Sequence, residues 1–163
     1  MSGATSRTSG RRMSRLLALV PCLAVALTDA SRAQQSTDYE AIAAARQYFA
    51  KFDRGDFAGA YLHFSKQTQA VIGYRTWLAS SATTDPVQQR RFTKTVTYEQ
   101  PEGRLVAVEF DGMSAAGDKE CGYVVVDSIG LIVNVDSTRI PAAILKSAAK
   151  EDLQKIASLP GCS

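Results

Sequence analysis

Hydrophobic positions along the chain follow two rhythms, first near every third or fourth residue and later every second. Ile42, Ala45, Phe49 and Phe52 fall at i, i+3, i+7 and i+10, and Thr37 with Glu40 forms a capping box ahead of them, which predicts a helix over 38–52. Asp53-Arg54-Gly55-Asp56 interrupts it: Gly55 suits a left-handed cap and Asp56 an N-cap for the next helix. Phe57, Ala60, Tyr61 and Phe64 then share one face of a short second helix over 56–64. From 67 to 80, Val71, Ile72, Tyr74, Trp77 and Leu78, interrupted at Gly73, predict one or two further helical turns over the same core.

Asp85-Pro86 ends the helical half, after which β-branched residues alternate. Four strands are predicted, over 91–99, 104–112, 120–127 and 131–139, joined by turns short enough to require antiparallel neighbours in a meander. Val106, Val108 and Phe110 share one face of the second strand, and Glu109 and Asp111 share the other, so one sheet face packs while the other is partly wet. Pro141 opens a last helix, with Leu145, Ala148 or Ala149, Leu153 and Ile156 inward and a break near Ser147. The fold class is therefore α+β: N-terminal helices on a curved four-stranded antiparallel sheet, with a C-terminal helix. We assign 1–33 to a cleaved leader, 34–140 to the α+β domain and 141–163 to a helix and tail on the same domain.

The first 33 residues read differently from the rest. Arg11, Arg12 and Arg15 precede an apolar run over 16–27, and Ser31-Arg32-Ala33 supplies small residues three and one positions before a cut. That is the order of a secretory signal peptide, and the run is too short for a stable membrane span of about 20 residues. Cleavage after Ala33 is expected, with Met1 or Met13 as the start and a periplasmic or secreted destination. Arg11-Arg12 matches a twin-arginine signal only in part, and Pro21 before Cys22 argues against a lipoprotein cysteine. The mature chain then keeps two cysteines, Cys121 and Cys162, which an oxidising compartment would join. A redox or metal role for the pair would want a CxxC spacing or a nearby histidine, and neither is present.

Charge changes the picture once the leader is set aside. The full chain of 163 residues carries a formal +3, but Arg7, Arg11, Arg12, Arg15 and Arg32 lie within the leader against Asp29 alone, so the remainder is slightly acidic. Nothing in that balance favours nucleic acid or an anionic membrane as partner.

The segment 45–61, ARQYFAKFDRGDFAGAY, resembles the opening of the nuclear transport factor 2-like, or cystatin-like, cone superfamily. There a helix ends in a Gly-Asp turn and an aromatic second helix follows. Trp77 in a third helix, Arg91 leading a strand and Glu102-Gly103 before the next look like the secreted bacterial family catalogued as domain of unknown function family 4019. The resemblance covers about 41–139 and implies a helical layer on a strongly curved sheet. The C-terminal helix and Cys162 depart from it. No single activity follows, because this scaffold hosts isomerases, dehydratases, transport factors and binding modules.

Candidate chemistry is sparse. His63 is the only histidine; it lies off the apolar stripe of its helix, as a rim residue or, functionally, a general base. The resemblance implies an acid among aromatic rings, for which Asp111 and Glu109 are the nearest equivalents, against a plain reading of both as solvated. Tyr48, Phe52, Tyr61, Phe64, Trp77 and Phe110 are read as core or as the lining of an apolar ligand pocket. Arg90-Arg91 reads as a solvated basic pair. No phosphate loop, GxSxG, HExxH or acidic calcium loop occurs, so neither cofactor nor metal is expected. These features point to an exported binding or interaction domain, a monomer or homodimer, with a small apolar molecule or a protein as partner. The alternative is a small isomerase or hydratase using Asp111 or His63.

Overall fold

A computed structural model of the chain describes residues 21–82 and 84–162, with side chains from residue 37 onward. Two units are distinguished, 1–34 and 35–163, and the fold described below is that of the second. Helix α1 (Pro21–Phe52) ends where expected but begins earlier than Thr37. Between Pro21 and Thr37 no proline or glycine breaks the helical run, so the capping box is overridden. Thr37 instead accepts a hydrogen bond from Arg104 Nη1 at 3.1 Å. Gly55 takes a positive φ of 77°, and Asp56 caps α2 (Phe57–Tyr61) by accepting from the Gly59 amide at 2.9 Å. Gly73, at φ 69°, separates α3 (Lys66–Ile72) from α4 (Tyr74–Ser81).

The strands β1 (Val87–Gln100), β2 (Gly103–Ser114), β3 (Lys119–Asp127) and β4 (Ile132–Ile140) form an antiparallel meander in chain order. Register shifts between Phe92 and Lys94 and between Val125 and Val126 bend the sheet without closing it. At Gly122 the backbone of Asp136 and Ser137 comes so close that a side chain has no room.

One face of this sheet meets the helices. Val106, Val108 and Phe110 of β2, Val124 and Val126 of β3 and Ile132 of β4 pack with Ala45, Tyr48, Phe49, Phe64 and Trp77 in the main core. The opposite face is covered at one end by a smaller cluster, in which Leu145 and Ile156 pack on Cys121, Ile140 and Cys162. Cys121 and Cys162 are paired, with Cα atoms 5.1 Å apart. The last helical segment splits into α5 (Ala142–Ser147) and α6 (Lys150–Ala157) at Ala148, whose backbone is extended. That break restarts the helical period, so Leu153, expected inward, is exposed, while of the pair Ala148 or Ala149 it is Ala148 that is half-buried. Among the described residues no helix is long and apolar enough to cross a membrane.

Gly161 lies directly on the sheet, at φ 71°, against the carbonyls of Phe110 and Gly122. A methyl group there strains the backbone and collides with two strands. Gly161→Ala is expected to cost roughly 1–3 kcal/mol, read as a lowered urea midpoint with the disulfide intact.

Candidate functional site

The rings expected to line a pocket pack on one another. Tyr48 touches Phe49, Phe52 and Phe64 with centroids 4.8, 5.8 and 5.5 Å apart, and Trp77 meets Phe52, Phe57, Tyr61, Phe64 and Tyr74. Phe110 is fully buried against Phe49 at 4.6 Å. Burial pushes the Tyr48 phenol up, against the opposing pull of Arg90, so it stays protonated at neutral pH.

Arg90 is not solvated. Its side chain is 5% exposed, and its guanidinium sits 3.8 Å over the Phe49 ring and 4.8 Å from that of Phe110. Nε and Nη2 donate to the two Asp53 oxygens at 3.1 and 2.9 Å, and Nη1 donates to Glu120 at 3.3 Å. Arg139 adds a contact to Glu120 at 3.4 Å and donates to the Asp85 carbonyl. The reason is strand parity: Arg90 lies opposite Gly112, which leaves space over the sheet, whereas Arg91 points to the other face.

Asp111 corrects the solvated reading of its face, since it is only 2% exposed. Both of its oxygens accept from Arg91, at 2.9 and 2.5 Å, and it borders a recess of about 230 Å³ with Met113 and Lys119. Glu109 is partly exposed and pairs loosely with Lys94 at 3.8 Å. Alternation along β2 places both acids on the face opposite the aromatic core; the carboxylates that lie beside the rings are those of Asp53 and Glu120, and Arg90 engages both. His63 is half-buried at the rim, and its backbone carbonyl accepts from Ile132. Partial burial, followed by the Lys51 charge, lowers its pKa below the ordinary 6.5.

Another open concavity lies elsewhere, at the end of the sheet. A groove of about 860 Å³ runs between α3, the β1–β2 turn and the β3–β4 turn. Val71, Ile72, Leu105, Ile129 and Val133 supply its apolar surface. Val71 and Ile129 are 80% and 78% exposed and border the groove from separate elements. Gln69 holds the corner beneath α3: its side-chain amide donates to the Phe64 and Tyr61 carbonyls, and the Gln69 backbone carbonyl accepts from Tyr61 Oη at 2.9 Å. None of the six predicted lining rings borders this groove. The available signal was Ile129, an aliphatic residue at the tip of a turn where polar residues are usual, together with the exposed Val71-Ile72 pair. Among the described residues no group of three or more metal-ligating side chains occurs.

Two outcomes follow from the charged groups. Arg90→Met strips Asp53 of its cation and is expected to cost about 3–5 kcal/mol in urea unfolding, while adding Asp53→Asn and Glu120→Gln restores part of the loss. Because the folded state holds His63 below 6.5, the unfolded chain binds its proton more readily, and stability falls as pH drops below 6.5. The thermal midpoint followed from pH 8 to pH 5 is expected to decline less steeply in His63→Gln.

No protein-family model matches the sequence, and comparisons with curated proteins and with solved structures found no match.

Proposed function

We propose that this chain is an exported, non-catalytic binding domain of the nuclear transport factor 2-like type, which takes a small apolar molecule in the groove beside α3. The observation that carries this reading is a concavity of about 860 Å³ with aliphatic walls, within the volume range of ligand sites. Leaving Val71 and Ile129 in water is unfavourable, and an apolar occupant of the groove they border reduces that exposure. The acids that a cone enzyme would use favour binding over catalysis, because Asp111 and Glu109 are engaged by Arg91 and Lys94 on the far side of the sheet. Export rests on the leader pattern, of which residues 1–20, with the three arginines and the start of the apolar run over 16–27, lie outside the described residues, and is supported by the Cys121–Cys162 pair.

A neutral fluorescent apolar probe, N-phenyl-1-naphthylamine, is expected to bind one site and to lose about tenfold or more in affinity in the Val71→Ser, Ile129→Ser double variant. Equal affinity in the two proteins rejects the groove as the site. For export, the intact mass of protein recovered outside the cytoplasm should correspond to a chain beginning at Gln34 and lacking two hydrogens for the disulfide. A mass that includes residues 1–33 rejects the leader.

A further inference from the structure

We infer that the groove selects an apolar molecule carrying an ammonium head over one carrying a carboxylate. This rests on the groove being the binding site, and it follows from where its protons and charges are already committed.

Consider first the buried hydroxyls at its wall. Thr68 Oγ1 donates to the Val133 carbonyl at 3.0 Å, and a carbonyl can only accept. The 2.9 Å contact between Ser65 Oγ and Thr68 Oγ1 is therefore a donation from Ser65. Ser65 in turn accepts from the Thr68 amide at 3.1 Å. Both hydroxyl protons are spent within the protein, and what these groups still offer is lone pairs.

The same holds at the turn across the groove. In β3–β4, the amides of Ile129 and Leu131 donate to Asp127 Oδ1 at 3.0 and 2.9 Å, and the Gly130 amide donates to the Asp127 carbonyl at 3.1 Å. Amides of the kind that elsewhere make a turn into an anion cradle are here committed to Asp127, two to its carboxylate and one to its carbonyl. Arg104, the one cation on the wall, donates to Glu99 at 2.8 Å and to Thr37 at 3.1 Å. Against it stand Glu102 and Asp127, and among the described residues Glu102 forms no ion pair. The amides of Gln67, Gln100 and Asn134 and the hydroxyl of Ser128 can each donate or accept and do not discriminate. An anionic head thus meets lone pairs and net negative charge, whereas an ammonium head, with three donors and no acceptor, meets what it needs.

Decylamine, decanol and decanoate, matched in chain length, can be competed against N-phenyl-1-naphthylamine at pH 7 and low salt. The amine is expected to displace the probe at roughly tenfold lower concentration than the carboxylate, with the alcohol between them, and 0.5 M salt should narrow the gap. Glu102→Gln with Asp127→Asn removes both charges while Asn keeps the turn's acceptor, and it should shrink the gap in the same way. Decanoate binding as well as decylamine overturns the selectivity and leaves the groove reading intact. A preference that survives unchanged in the double variant also overturns it, because the charges named here are then not its source. If the probe binds but none of the three displaces it, or if the probe does not bind at all, the groove reading itself fails.

Discussion

The Arg90 guanidinium joins four separate parts of the chain at one point. It sits over the Phe49 ring of α1, reaches Phe110 of β2, and grips Asp53 in the turn after α1 and Glu120 on β3. A cation placed there would be prohibitively costly if it were alone, as would either carboxylate. Together they fix where the first helix stops relative to three strands. The ring cluster, the turn at Gly55 and the path of α2 inherit their positions from that arrangement.

The elements were legible in the sequence because each rests on local rhythm. The alternation in β2, the Gly55-Asp56 turn and the break near Ser147 all appear where the pattern puts them. Arg90 was not legible. Adjacent arginines look alike in one dimension, and only the pairing of β1 with β2 sends one onto the core and the other outward. Asp111 was hidden for a related reason: the face it occupies is wet at Glu109 but shielded one pleat further on, beside Cys121 and the returning tail.

The groove illustrates a different limit. Its walls come from 65–72, 100–105 and 127–134, three stretches that meet only after the meander has formed. No spacing within any one of them encodes a site. The aromatic residues, by contrast, drew notice as a pocket because large rings can line a cavity or fill one. Their number within α1, α2 and α4, and the edge-on contacts that number permits, decides for filling.

The Cys121–Cys162 bond closes a loop with a sequence separation of 41 that contains β4, α5 and α6. Closing it limits how far that stretch can spread once the chain unfolds. Reduction removes the limit, and the hold of α5 and α6 on the outer sheet face then rests on the packing of Leu145 and Ile156 around Ile140.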